Sequence, residues 1–366
     1  MSTPLPFNPA LQHLPVYQPG RPIEEVAREL GLPAESIIKL ASNENPLGPS
    51  PAALAAMQKV LTNLHLYPDG NAFYLKLKLA DKLGVEPKNL ILGNGSNEII
   101  EFVGHALMQP GADVVVSQYC FAVYPIVTHL FGANLVSVPA KDYGHDLPAM
   151  LEAITPATRV IFVANPNNPT GTWVSADALR RFIAGVPEQT LVVVDEAYIE
   201  YVSESDFPDA SRWLGEFPNL IVTRTFSKVY GLAGLRVGYA LSHPSVADML
   251  NRVRQPFNVN AIALAAALAA LDDSEHLKRS VETNRAGMAQ LRAGFDALGV
   301  RHLPSAGNFV MIDCGRPAPP VYEAMLRRGV IVRPVGNYGL PNHLRITIGT
   351  REQNERMLAA LKQALP

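Results

Sequence analysis

A chain of 366 residues, 48% of them hydrophobic and with a formal net charge of −2, is long enough for two globular domains. Its lysines and arginines are scattered rather than clustered, which argues against a nucleic acid or a membrane surface as partner. The two cysteines, Cys120 and Cys314, are too few for a disulfide framework and suit a reducing cytoplasm as unpaired packing thiols.

Residues 1–22 are proline-rich and lack the basic start and apolar core of a secretory signal. No apolar run reaches membrane-spanning length. Residues 1–45 cannot form a core alone and are expected to pack on a smaller unit near the C-terminus. From about 85 to 242, short apolar runs alternate with helical patterns, with strands expected at 90–92, 113–117, 133–138, 159–164, 191–195, 220–225 and 236–241. Such alternation predicts a mostly parallel sheet covered on both faces. Too little chain separates the last two runs for a helical crossover, so one strand is expected antiparallel. Long helices at 261–271 and 274–298 then lead into a smaller α+β unit with strands at 309–313, 330–333 and 343–348. Its last helix opens with the capping box Thr350-Arg351-Glu352-Gln353. The expected division is an arm at 1–45, a large cofactor-binding domain at 46–260, and a linking helix with a small domain at 261–366.

In open α/β sheets ligands collect at the carboxyl ends of strands, and the chemically notable residues fall there. Leu90 to Glu98 reads as a strand, a glycine turn and a helix start, where free amides and the helix dipole favour a phosphate around Ser96 and Asn97. Walker spacing and a dinucleotide fingerprint are both missing. Phe121, just beyond 113–117, is placed to stack on a flat ring. Asn165-Pro166-Asn167-Asn168-Pro169-Thr170-Gly171 is a rigid turn after a strand and can present an amide. The run 191–194 ends in Asp195, a carboxylate able to pair with a protonated pyridine nitrogen and keep the ring electron-poor. An acid there also serves as a helix cap; the company of Asn168 and Lys228 raises the ligand reading. Tyr198 can reach a phenolic oxygen together with Asn168.

Lys228, in Thr225-Phe226-Ser227-Lys228, ends another apolar run, and Gly234-Leu235-Arg236-Val237-Gly238 follows. A lysine at a sheet rim, with hydroxyls and an arginine to hold a phosphate and glycines that admit close backbone approach, suits a Schiff-base nucleophile. Arg236 is fitted to grip a phosphate dianion bidentately. The pattern points to an aldehyde cofactor. Arg333 and Arg345 lie on later strands, and Arg345 sits among apolar neighbours with period two. Facing inward, it needs an anionic partner such as a substrate carboxylate or phosphate. The nine histidines show no metal-ligand spacing and no histidine-serine-acid order, so neither a metal nor hydrolase chemistry is expected.

Eight segments carry a likeness when read in order: Tyr17-Gln18-Pro19-Gly20, Ser42 to Gly48, Tyr67-Pro68-Asp69, Gly95-Ser96-Asn97-Glu98, Asn168 to Gly171, Asp195-Glu196-Ala197-Tyr198, Ser227-Lys228 with Arg236, and Leu344-Arg345-Ile346-Thr347. Together they resemble the fold type I pyridoxal-phosphate aminotransferases, most closely those of histidinol phosphate, over nearly the whole length. The resemblance implies an α/β fold with a mostly parallel central sheet, helices on both faces and a smaller α+β domain, with pyridoxal 5′-phosphate as cofactor. By that likeness Lys228 carries the cofactor imine, Asp195 pairs with the pyridine nitrogen, and Asn168 and Tyr198 bond the ring oxygen. Ser96, Asn97, Thr225, Ser227 and Arg236 would hold the cofactor phosphate. Tyr67 would reach the phosphate in a neighbouring subunit's site, which implies a homodimer. Arg345 would grip the carboxylate of glutamate or 2-oxoglutarate and the phosphate of histidinol phosphate, with Arg333, Tyr17 and Asn45 as further substrate-binding residues. Many relatives have tyrosine where Phe121 stands, so the ring face is kept for stacking but the phenolic hydrogen bond is not.

The reaction implied is transamination between histidinol phosphate and 2-oxoglutarate, giving imidazole-acetol phosphate and glutamate, in L-histidine biosynthesis. The same machinery would serve an aromatic amino-acid aminotransferase or a phospho-amino-acid decarboxylase. From a different class, a catalytically silent cofactor-binding module stays open.

Overall fold

The structure is a computed structural model describing residues 5, 10–11, 14 and 19–365. Its first part runs through α1 (Ile23–Leu30), β1 (Ile38–Lys39), α2 (Pro51–Val60), α3 (Phe73–Leu83), β2 (Leu90–Gly93), α4 (Ser96–Leu107), β3 (Asp113–Ser117), α5 (Val123–Leu130) and β4 (Asn134–Val138). Next come α6 (Leu147–Glu152), β5 (Thr158–Ala164), α7 (Ala176–Gly185), β6 (Leu191–Asp195), β7 (Leu220–Thr225), β8 (Gly238–Ser242) and α8 (Pro244–Val253). The chain closes with α9 (Ala261–Ala270), α10 (Ser274–Ala297), β9 (Arg301–His302), β10 (Phe309–Asp313), α11 (Ala318–Leu326), β11 (Val330–Ile331), β12 (Arg333–Pro334), β13 (His343–Thr347) and α12 (Arg351–Ala364).

Local chemistry sets many of the helix starts. Ser50, Ser175, Asn260 and Asp273 each accept a backbone N–H from the first turn of α2, α7, α9 and α10. The Thr350/Gln353 capping box opens α12. Helix α4 differs: it starts after Gly95 without a side-chain cap, leaving the amides of its first turn available.

Seven strands form the large sheet in the order β2-β8-β7-β6-β5-β3-β4. All run parallel except β8, which is antiparallel to both β2 and β7. This is the expected consequence of the short link after β7. The apolar runs are continuous because both faces are buried: Val192 and Val194 join one core, Leu191 and Val193 the other. A second sheet, β12-β13-β10-β9, packs one face on α10, α11 and α12 and turns the other toward the carboxyl edge of the large sheet.

The stretch expected as one strand at 330–333 is two short strands. β11 pairs in parallel with β1 from the N-terminal segment, and β12 pairs with β13. The chain changes partner at Val332 because the arm inserts a strand there, and no local sequence signal marks that event. Cys120 and Cys314 are both buried and free. No helix among the described residues is long and apolar enough to cross a membrane.

Candidate active site

Because β2, β7, β6, β5 and β3 all end at one edge and β8 starts there, their following turns converge on one cavity of about 170 Å³. Ser96, Asn97, Phe121, Asn168, Asp195, Tyr198, Thr225, Ser227, Lys228, Arg236, Arg333 and Arg345 all line it. Ser96 and Arg345, 249 positions apart, thus share one space.

Lys228 follows β7 in a tight turn that brings Gly231 against Gly48; with φ +69 and a Cβ position 2.1 Å from the Gly48 carbonyl oxygen, only glycine fits there. The Lys228 Nζ donates to the Ser42 carbonyl at 3.3 Å and lies 5.6 Å from the Tyr198 ring centroid. Burial first, then the charge of Arg345, depress the ammonium to about 8, with Glu44 and Asp195 opposing. An amine neutral in part near neutrality is a nucleophile and a proton carrier.

Asp195 ends β6, in register with Ala164 on β5 and Thr223 on β7. Burial raises its carboxyl above the usual range, and the Tyr124 hydroxyl, donating to Oδ2 at 2.8 Å, opposes that rise. Its Oδ1 is buried with no hydrogen-bond partner among the described residues. A buried carboxylate oxygen left so is costly unless a ligand supplies a donor. Tyr198 has its phenol pushed up to about 12 by burial, against Arg345 and the Asn43 amide. Its ring packs edge to face with Phe309.

At the other end of the cavity, Gly95 has φ +81, and a Cβ there would lie 2.5 Å from Arg236 Nη2; one on Gly238 would lie 2.5 Å from the Ser96 amide nitrogen. The two glycines let the start of α4, Ser96 and Arg236 close on one spot. Arg236 itself holds φ 56, a strained conformation for a side-chain-bearing residue, and donates to Ser227 Oγ at 3.4 Å. Uncapped amides, hydroxyls and a guanidinium form a cradle for a phosphate. The far wall carries Arg333 and Arg345, direct cross-strand partners on β12 and β13. Arg345 is inward-facing as expected, and it donates to Asn168 Oδ1 and to the Ala41 carbonyl oxygen.

Two expected residues lie elsewhere. Tyr67 is 82% exposed and stacks on Phe257, outside this cavity. Asn45 does not line this cavity: its Nδ2 donates to Val229 O and Ser280 Oγ, and its Oδ1 accepts from Leu47 N, so it ties the arm to the lysine turn. Tyr17 falls outside the described residues.

The structure adds residues that sequence reasoning missed. Asn43, buried with φ 56, donates its Nδ2 to the Tyr198 hydroxyl at 2.9 Å. Its backbone is held by Thr347 Oγ1 and Asn308 Nδ2 of the small sheet. Tyr338 also lines the cavity. Asn43 lies within the Ser42 to Gly48 motif, whereas Tyr124 and Tyr338 have no local signal beyond being tyrosines.

The cavity fits pyridoxal phosphate: an orphaned carboxylate oxygen for the ring nitrogen, an amine of lowered basicity for the aldehyde, and a glycine-lined cradle for the phosphate. The sequence profile described as aminotransferase class I and II matches residues 35–361. The chain belongs to this aminotransferase family. Histidinol-phosphate aminotransferase 2 of Pseudomonas fluorescens (strain Pf0-1) is 59% identical over 358 residues, covering 98% of this chain and 97% of its own. Histidinol-phosphate aminotransferase 1 of Nitrosococcus oceani is 53% identical, covering 97% and 95%. Among solved structures, histidinol-phosphate aminotransferase from Sinorhizobium meliloti in complex with pyridoxal-5′-phosphate superposes with a TM-score of 0.91 at 32% identity, over 98% of this chain and 97% of that one. Aspartate aminotransferase from Thermus thermophilus with maleate, at 23% identity and a TM-score of 0.84, shares the fold. The aminotransferase thus has the fold type I architecture, α/β with a mostly parallel central sheet.

Proposed function

We propose that this aminotransferase uses pyridoxal 5′-phosphate to interconvert histidinol phosphate plus 2-oxoglutarate and imidazole-acetol phosphate plus glutamate, in cytoplasmic L-histidine biosynthesis. The observation that carries the reading is the pair of opposed anchors in one cavity, Lys228 with its lowered basicity and the unsatisfied Asp195 Oδ1. The identity of 59% to a relative bearing that name, over nearly both chains, supports the substrate.

When bound, the cofactor supplies an electron-withdrawing ring that stabilises negative charge on the substrate carbon. The residues of the chain do the rest. Asp195 would pair with the ring nitrogen, and Asn168 and Tyr198 would hydrogen-bond the ring oxygen. Phe121 would cover the ring face. Ser96, Asn97, Thr225, Ser227 and Arg236 would hold the phosphate. Lys228 Nζ would hold the aldehyde, and the same amine is placed to move a proton at the substrate carbon. Arg333 and Arg345 stand directly opposite one another on antiparallel strands. Two guanidiniums on one cavity wall suit an anion. A substrate carboxylate or phosphate serves, with Tyr17 as a further contact.

The division into an arm at 1–45, a large domain at 46–260 and a small domain at 261–366 belongs to the same reading: the cavity then lies between two bodies, and Asn43 links them. So does a homodimer in which Tyr67 reaches the neighbouring phosphate. Its support is a run of exposed apolar side chains, Leu61, Leu64, Leu66, Tyr67, Phe73 and Tyr74, each at least 52% exposed. A patch of that kind marks an interface. Sedimentation equilibrium is expected to give twice 39.7 kDa. Tyr67→Phe should keep that mass and weaken cofactor retention.

Two tests address the chemistry. The rate at which apoprotein captures pyridoxal phosphate should rise with pH and level off above about 8, because the amine reacts only when deprotonated. A rate that falls over that range contradicts the assignment. For the substrate, histidinol phosphate, phenylalanine and threonine phosphate are each offered with 2-oxoglutarate as acceptor. Fastest turnover is expected with histidinol phosphate; its absence, with phenylalanine consumed, makes the protein an aromatic aminotransferase.

A further inference from the structure

The first turn of α5 places two aromatic residues at i and i+3, Phe121 just before it and Tyr124 within it. Their rings meet edge to face at 5.6 Å. Tyr124 is completely buried, and its ring also stacks on Phe162 of β5, centroids 4.4 Å apart and 6° from parallel. Held between two rings, the phenol has little freedom in χ1 or χ2. Its hydroxyl donates to Asp195 Oδ2 at 2.8 Å, so one carboxylate oxygen is committed and only Oδ1 stays without a partner.

We propose that Tyr124 is a positioning residue for the cofactor: by occupying Asp195 Oδ2 from a ring clamped by Phe121 and Phe162, it dedicates Oδ1 to the ring nitrogen. The proposal rests on the pyridoxal-phosphate reading above and adds a residue to it. Two physical effects combine. Burial makes a carboxylate take up a proton more readily. The Tyr124 hydroxyl is the strongest of the groups that oppose this, ahead of the Thr223 hydroxyl and the Ala197 amide, so it favours the anion and with it the proton on the ring nitrogen. The same bond also fixes the carboxylate plane, which otherwise rotates about χ2. Phe121 sits in the turn that leads into α5, its carbonyl accepting from the Tyr124 amide at 3.0 Å, so face stacking and acid orientation are set by neighbouring residues of one turn.

The test uses Tyr124→Phe, which keeps both ring contacts, in the full chain. Equilibrium dialysis of pyridoxal phosphate against apoprotein is expected to show roughly tenfold weaker binding, the loss of one hydrogen bond to a charged group. The nitrogen NMR shift of ring-labelled cofactor should move from the protonated toward the neutral position. In turnover, kcat should fall while KM for the amino donor changes little. In an Asp195→Asn background the same substitution should have almost no effect on binding or shift, since Tyr124 acts through the carboxylate. Equal losses in both backgrounds, or an unchanged ring-nitrogen signal in the single variant, overturn the proposal. Should Tyr124→Phe fail to fold, Phe162→Leu, which loosens the clamp and keeps the hydroxyl, should shift the same nitrogen signal; no shift there overturns it as well. If the wild-type protein binds no pyridoxal phosphate, it is the parent reading that fails, and dialysis of the wild type shows this directly.

Discussion

Lys228→Ala is expected to abolish covalent attachment of the cofactor and to reduce turnover by about 10⁴-fold or more, combining loss of the nucleophile with loss of the proton carrier. Borohydride treatment followed by peptide mass analysis should find a cofactor adduct on Lys228 in the wild type and none in the variant. Non-covalent binding should persist, because the phosphate cradle at Gly95, Ser96 and Arg236 and the acid at Asp195 are untouched. An added small primary amine should restore part of the activity by entering the space left by the side chain. Activity within tenfold of wild type would refute the role assigned to this lysine. The reason for so large an effect is positional: the amine sits on a turn fixed by the Gly231 and Gly48 contact and by the Asn45 bonds, and no other lysine lines the cavity.

The second large effect concerns stability. Arg224 lies on β7 between Thr223 and Thr225 and points away from the cavity-lining Thr225. Its Nε and Nη2 donate to Glu196 Oε2 at 3.0 and 2.7 Å, and Nη2 also reaches Asp209. Glu196 is fully buried, and its other oxygen accepts from the Ala210 amide at 2.8 Å. Burial pushes the Glu196 carboxyl up, and the guanidinium opposes it. Arg224→Ala should therefore cost about 3–5 kcal/mol, because it strands a buried carboxylate. A lowered urea midpoint of the apoprotein measures this. Replacing both partners, Glu196→Leu with Arg224→Met, should cost clearly less than the single change, since no charge is left unpaired. Equal costs would show that packing, not charge pairing, holds the two strand ends. Since Asp195 and Thr225 are the chain neighbours of this pair, cofactor affinity should fall along with stability.

Much of this was legible in the linear chain. The alternation of apolar runs and helical patterns between 85 and 242 encoded a covered parallel sheet, because strands buried on both faces need continuous apolar sequence. The length of the link after β7 required an antiparallel neighbour. Lys228, Asp195 and Asn168 were recognisable because each ends or follows a strand, and Arg236 because it leads into the antiparallel β8 that starts at the same edge. What the sequence could not decide is pairing at long range. That β1 would join β11 and break the 330–333 run depends on a contact across some 290 residues, and no local propensity specifies it. Asn45 shares its motif with Asn43, yet two residues apart they turn to different partners, one to the lysine turn and one to Tyr198. Tyr124 is an ordinary apolar-face residue of α5 until β6 places Asp195 beneath its hydroxyl. Composition and periodicity determined the layers and the kinds of reactive group; which oxygen each donor meets was decided only by packing, because a hydrogen bond is set by positions within a few tenths of an ångström that local sequence does not fix.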